Sequence, residues 1–197
     1  MSGKNFEPRK FKGILFDLDG VLVDSMHLHD QAWREALRSV GVKVGMTPHP
    51  DTIQNLILDK EKRLKEMEAA HLFPEARICI EKFHQQGYRL GIVTGSFLSE
   101  VRVFLKEEVL NYFRGVVTAS DVHHGERHPE PYLMGLEKLG LSSEEVIVIE
   151  NAPYGIRAAK SAGLTCIALS TSLPASYLSQ ADLVLSNLNE VIELFFS

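Results

Sequence analysis

Cysteine is scarce in this 197-residue chain: Cys79 and Cys166 are the only two. Both sit among apolar neighbours, in ARICIEKF and LTCIAL. They read as buried free thiols, and the chain has neither a disulfide framework nor a zinc-ligand spacing. No stretch approaches the roughly 18 apolar residues of a membrane span. The opening MSGKNFEPRK is polar and lacks the apolar run of a secretory leader, so a cytoplasmic location is expected. A strong charge imbalance is missing too. With 21 basic and 26 acidic residues the net charge is −5, which gives no electrostatic reason to expect nucleic acid or an anionic membrane as partner. A local basic pocket for one phosphate remains compatible with that balance. Internal repeats and low-complexity tracts are also lacking, and nothing in the composition sets an oligomeric state.

What is present is a rhythm of short apolar runs and amphipathic stretches. Residues 13–16, 88–93, 115–118, 146–149, 165–169 and 183–185 are near-continuous apolar runs. They read as strands buried on both faces. Helical periodicity fills 75–86, 97–110, 130–139 and 154–162. Alternation of this kind predicts an α/β fold: a doubly wound parallel sheet with helices on both faces and ligands beyond the carboxyl ends of the strands. The stretch 25–73 breaks the rhythm. It holds no strand-like run, and reads as one helix over 26–40 bearing Trp33, Leu37 and Val40 and another over 52–70 bearing Ile53, Leu56, Ile57, Leu64 and Met67. The charge run 59–69 reads as a solvated helix face with i,i+4 pairs such as Glu61–Lys65. The division expected is a core of residues 11–24 and 74–197, with a small helical insertion at 25–73 after the first strand.

The chemistry concentrates in FDLDGVLVDS, residues 16–25. A buried strand delivers Asp17 and Asp19 to its carboxyl end. Residues i and i+2 of a strand face the same side, so both acids can approach one centre. Gly20 allows the sharp turn that follows. Two carboxylates this close repel unless a cation or a shared proton compensates. Mg²⁺ suits them, because it prefers hard oxygen ligands and binds substrate phosphate.

On these residues the chain resembles the haloacid dehalogenase superfamily, and within it the β-phosphoglucomutase-like phosphatases with a helical cap. The resemblance implies a Rossmannoid core with a shortened cap. It implies that Asp17 attacks phosphorus to form an aspartyl-phosphate, and that Asp19 acts as acid to the leaving group and then as base for water. It also implies Mg²⁺ held by the Asp17 carboxylate and the Asp19 carbonyl. In IVTGS, residues 92–96, a hydroxyl at a strand end and the N–H groups of Gly95 and Ser96 can donate to phosphate. The resemblance assigns phosphate binding to Thr94 and these neighbours. In VIVIENAPYGI, residues 146–156, Glu150 and Asn151 stand where the family places metal-binding acids. Asn151 replaces the commoner Asp, and its amide contributes no negative charge.

The loop GERHPEPY, residues 125–132, departs furthest from the family's Gly-Lys-Pro-x-Pro-x-x-Tyr. Gly125, Pro129 and Tyr132 fit, but Glu126 stands in the lysine's place. Either Arg127 or His128 turns inward, Arg127 being able to bind phosphate bidentately, or the loop faces solvent and the site lacks its cation. In LHDQAW, residues 28–33, His29 shares a helix face with Trp33. His29 can reach the site and contact substrate, or serve as an ordinary structural or solvated histidine.

The function these residues point to is Mg²⁺-dependent hydrolysis of a small phosphorylated, sugar-phosphate-like metabolite. The alternatives are a catalytically weakened phosphate-binding member of the family and a β-phosphoglucomutase-type phosphosugar mutase. A short cap favours hydrolysis, because a mutase must shield its intermediate from water. Dehalogenation is disfavoured by Asp19, which the family's dehalogenases lack.

Overall fold

A computed structural model of the chain describes residues 7–41, 50–67, 70–125 and 128–197. In chain order the elements are β1 (Gly13–Phe16), α1 (Met26–Ser39), α2 (Pro50–Glu66), α3 (Pro74–Gln85), β2 (Arg89–Val93), α4 (Leu98–Phe104), α5 (Glu107–Leu110), β3 (Phe113–Val117), α6 (Glu130–Leu139), β4 (Val146–Glu150), α7 (Pro153–Ser161), β5 (Thr165–Leu169), β6 (Leu183–Leu185) and α8 (Leu188–Phe196). The six strands form one sheet in the order β3-β2-β1-β4-β5-β6, and every pairing is parallel.

Alternate side chains of each strand enter different cores, as the pleat requires. Ile14, Phe16, Ile147, Ile149, Ile167 and Leu169 pack with α3, α4, α5 and α8 on one face. Leu15, Val146, Val148, Cys166 and Ala168 pack with α6 and α7 on the other. The expected doubly wound fold is therefore present, and both cysteines are buried and free. Burial, with the charge of Glu75 adding to it, pushes the Cys79 thiol up to about 12. Among the described residues, no helix is long and apolar enough to cross a membrane.

Several expectations need correction. The periodicity at 97–110 is two helices: Leu105 and Lys106 are extended, and the backbone restarts at Glu107. Leu105 is nonetheless 1% exposed, so the apolar spacing reports burial across the break rather than a continuous helix. α8 carried no expectation at all. Asn187 caps it by accepting from Asn189 N–H at 2.9 Å and Glu190 N–H at 3.3 Å. Phe195 and Phe196 then pack their rings on Phe83, at 5.1 and 4.8 Å between centroids.

The insertion departs most. α1 buries Leu28, Ala32 and Ala36, while Trp33 and Val40 are 37% and 45% exposed. Small residues at i,i+4 spacing let α2 approach closely, and the large side chains fall on the neighbouring, open face. The charge run is not wholly solvated either. Lys60 of α2 is 7% exposed and donates to Glu100 of α4 at 2.9 Å. The other Glu100 oxygen accepts the Phe97 N–H at 2.8 Å. A buried charge is tolerated when paired and hydrogen-bonded, so this pair ties α2 to the start of α4, directly after Thr94–Ser96. The side chain of Lys65 lies outside the described residues, and with it the expected Glu61–Lys65 pair.

Candidate active site

Order 3-2-1-4-5-6 reverses direction between β1 and β4, and such a switch point opens a crevice at the carboxyl ends of the strands. Phe16 is registered with Ile149, and Asp17 N–H continues the ladder to Ile149 O at 2.9 Å. That register sets Asp17 beside the β4 end at Glu150. The chain then turns tightly. The N–H groups of Val21, Leu22 and Val23 all point to Leu18 O, at 3.3, 2.9 and 3.0 Å, and Gly20 adopts φ +84°. An L side chain is strained at that φ, and a Cβ on Gly20 would also lie 2.0 Å from Asn151 Nδ2.

The Asp19 carboxylate is the best-anchored group of the site. Its Oδ1 accepts from Ser25 Oγ at 2.5 Å and pairs with His29 Nε2 at 2.9 Å. Its Oδ2 accepts from Ser96 Oγ at 2.6 Å and Thr94 Oγ1 at 3.4 Å. Donors thus converge from the start of α1 and from the loop after β2. Burial by itself would raise the Asp19 pKa. The His29 hydrogen bond and charge, with the Ser25 and Ser96 hydroxyls, outweigh it and hold the carboxyl below its ordinary value. Asp19 therefore rests ionised, in hydrogen-bond contact with the His29 imidazole.

Thr94 and Ser96 are buried and Gly95 is exposed. The Ser96 N–H, expected to face phosphate, instead donates to Thr94 Oγ1 at 3.0 Å. His29 is neither solvated nor remote: its side chain is 14% exposed, against Asp19. Glu150 and Asn151 are 5% and 2% exposed. Glu150 Oε2 accepts the N–H groups of Asn151 at 2.6 Å and Ala152 at 2.8 Å, and Oε1 accepts Tyr132 Oη–H at 3.1 Å. A Cβ at Gly155 would sit 1.5 Å from Glu150 Oε1, so glycine there makes the room for this carboxylate. Desolvation, followed by the charges of Glu150 and Asp17, pushes the Tyr132 phenol far up, so it stays a protonated donor.

Asn151 is arranged differently from the expectation. Its Nδ2 donates to the Asp19 carbonyl at 3.0 Å and to Ser172 Oγ at 2.9 Å. The carbonyl can only accept, which fixes which amide atom faces it. A donor therefore occupies the direction in which a ligand oxygen was expected. The Asp17 carboxylate, the Asp19 carbonyl and the Glu150 carboxylate are hard oxygens of the kind Mg²⁺ takes, so the donor set fits that ion in type. Asn151 joins it only by giving up its bond to the Asp19 carbonyl.

Glu126 and Arg127, on which the missing-cation question turned, lie outside the described residues. His128 does not turn inward: its Nδ1 accepts the Glu130 N–H at 3.2 Å and its ring stacks on His124. Three contributors had no sequence assignment. Ser25 holds Asp19. Thr171 Oγ1 donates to Gly20 O at 2.6 Å, and Ser172 receives Asn151. The signal for the last two is hydroxyls directly beyond a predicted parallel strand, where ligand crevices form.

Comparison with known proteins gives consistent relatives. The family model for haloacid dehalogenase-like hydrolase matches residues 34–169. A validoxylamine A 7'-phosphate phosphatase from Streptomyces hygroscopicus subsp. limoneus is 31% identical, over 92% of this chain and 96% of its own length. Hexitol phosphatase A from Escherichia coli is 29% identical, over 91% and 93%. A Bacteroides vulgatus structure provisionally assigned as a beta-phosphoglucomutase superposes with TM-score 0.80 at 28% identity, covering 94% of this chain and 88% of that one. A hydrolase from Pseudomonas syringae has the same fold, with TM-score 0.84 at 23% identity over 92% and 98%.

Proposed function

Because the chain belongs to the haloacid dehalogenase-like hydrolase family, we propose that it is a Mg²⁺-dependent phosphatase that cleaves a small, sugar-phosphate-like ester through an aspartyl-phosphate on Asp17. The observation that carries this reading is the Asp19 carboxylate, anchored by four side-chain donors at the switch point, two residues from Asp17. The two relatives above, phosphatases of validoxylamine A 7'-phosphate and of hexitol phosphate by name, support a small phosphorylated substrate.

An Asp17 oxygen attacks phosphorus and the bond from phosphorus to the ester oxygen breaks. Asp19, carrying a proton at that moment, gives it to the leaving oxygen. Water then attacks the phosphoryl group on Asp17 while Asp19 removes its proton, which frees phosphate and restores the Asp17 carboxylate. His29 is placed to hold or pass the Asp19 proton, since the resting carboxyl is ionised and lies 2.9 Å from the imidazole. Thr94, Gly95 and Ser96 line the phosphate's approach from β2. Asp17, the Asp19 carbonyl and Glu150 would hold Mg²⁺, with Asn151 as a neutral and conditional fourth group. When bound, the ion supplies positive charge that offsets repulsion between the Asp17 carboxylate and the phosphate.

We take α1 and α2 as a reduced cap, tied to the core through His29–Asp19 and Lys60–Glu100. A small cap favours hydrolysis over mutase chemistry. A phosphate-release screen over hexitol, hexose, phosphoglycolate and nucleotide monophosphates tests the proposal. Release from a polyol or sugar ester in Mg²⁺, abolished by EDTA and restored by Mg²⁺, is expected. No release from any ester would sink it.

Asn151→Asp tests the neutral position separately. A carboxylate loses the donor to the Asp19 carbonyl and adds charge beside Glu150. The variant is therefore expected to melt lower than wild type in EDTA and to regain the difference in Mg²⁺. By calorimetric titration it should bind Mg²⁺ about 10-fold more tightly, as expected for an added ligand charge. Unchanged or weaker Mg²⁺ affinity removes Asn151 from the metal shell.

A further inference from the structure

We propose that His124, His128 and Glu130 form a binding site for a divalent transition-metal ion, apart from the residues assembled around Asp19. One ligand atom from each lies within 4.8 Å of the others. The site sits on the turn that leads into α6, and its three side chains differ in how they are held.

Glu130 is pinned. Its Oε1 accepts the His123 N–H at 3.0 Å and its Oε2 accepts the His124 N–H at 2.8 Å. These backbone bonds, His123's first, hold its carboxyl at about 2 against the opposing effect of desolvation, with the His124 ring assisting. The group is ionised and oriented before any ligand arrives. Capping the turn accounts for this much.

The two imidazoles join the same turn, each through a ring nitrogen at Glu130. They stack face to face, 4.4 Å between centroids and 27° between planes. Both Nδ1 atoms approach the same carboxylate oxygen: His124 Nδ1 at 2.9 Å and His128 Nδ1 at 3.8 Å from Oε2. The His128 nitrogen accepts the Glu130 N–H, so it carries a lone pair rather than a proton. That lone pair and Glu130 Oε2, which lies beside His124 Nδ1, are the donor atoms a cation would take, the lone pair exchanging its bond to the Glu130 N–H for the ion. Ligand atoms around a tetrahedral zinc with bonds of about 2.0–2.1 Å stand about 3.3 Å apart, so the two histidine–carboxylate distances of 2.9 and 3.8 Å need shifts of about half an ångström. The two imidazoles, whose ligand atoms lie within 4.8 Å, must turn toward the ion.

The donor set selects the class of ion. Two imidazoles and one carboxylate suit zinc, nickel, copper or iron, whereas Mg²⁺ and Ca²⁺ prefer all-oxygen ligands. Access is open, because the side chains of His124 and His128 are 67% and 48% exposed. In sequence the two histidines bracket Gly125–Glu126–Arg127. Glu130 stands two residues ahead of Tyr132, which donates to Glu150.

The test uses chelator-stripped full-length protein in excess Mg²⁺, titrated calorimetrically with Zn²⁺ alone. One Zn²⁺ per chain in the micromolar range is expected, together with a rise in melting temperature. His124→Ala and His128→Ala should each weaken Zn²⁺ more than tenfold, since even the loss of a ligand's outer partner costs about 10-fold. His123→Ala should not, because His123 brings only its backbone N–H to the cluster. Circular dichroism checks that the variants are folded, as the exposure of both rings predicts. Absence of stoichiometric Zn²⁺ binding, or equal affinity in wild type and both variants, overturns the proposal. Neither result depends on phosphatase activity.

Discussion

Asp17→Asn is expected to yield a folded protein that releases no phosphate. The change is nearly isosteric, and the ladder bond from residue 17 N–H to Ile149 O involves only backbone. The melting temperature should therefore move little. An amide cannot attack phosphorus, and removal of a nucleophile typically costs at least about 10⁴-fold in turnover. The measurement is initial rates on the best ester of the screen, beside a thermal melt. Turnover within tenfold of wild type would mean that another group attacks, and the aspartyl-phosphate route would fall with it.

Asp19→Ala should have the second largest effect, and its form is more informative than its size. Loss of the acid slows the first step mainly for alkyl esters, whose leaving oxygen needs a proton, by about 10²–10⁴-fold. An activated aryl phosphate leaves without that help. Loss of the base slows the second step for every substrate. An aryl ester should accordingly give a burst of about one phenol per chain and then slow turnover, while an alkyl ester gives no burst. Equal losses without a burst would make Asp19 chiefly structural. A stability loss is expected as well. Ser25 and Ser96 are buried, and a buried donor left without its acceptor costs about 1–3 kcal/mol.

The central strands were legible because a parallel sheet buried on both faces leaves almost no polar residue in them, as in VIVI at 146–149, whereas the edge strands β3 and β6 are only partly buried. The register of the helices was legible only in part, even against the sheet: of the row Leu133, Leu136 and Leu139 expected in α6, Leu139 is buried but Leu133 is 49% exposed, and Tyr132 and Gly135 are buried instead. α3 buries Ala76, Ile80 and Phe83 as the period predicts. α1 meets another helix instead of the sheet, and its buried row moves to Leu28, Ala32 and Ala36. Periodicity finds a helix face, but the partner's shape decides whether large or small residues fill it.

At the site, the chain itself determined which groups exist. DLDG at a strand end, hydroxyls after a second strand and Glu-Asn after a third are local facts of the sequence. Their bonding was decided in three dimensions. Asn151 is 132 residues from Asp19, and nothing near it in the chain says whether its oxygen or its nitrogen faces that carbonyl. The Asp19 carbonyl settles it, because a carbonyl oxygen admits only a donor. His29 could be solvated in a free helix, yet the packing of α1 and α2 on the core brings it to Asp19. Propensity and burial act over a few residues and can be read along the chain, whereas hydrogen-bond partners and charge neighbours are set by contacts that only the folded topology brings within about 3 Å.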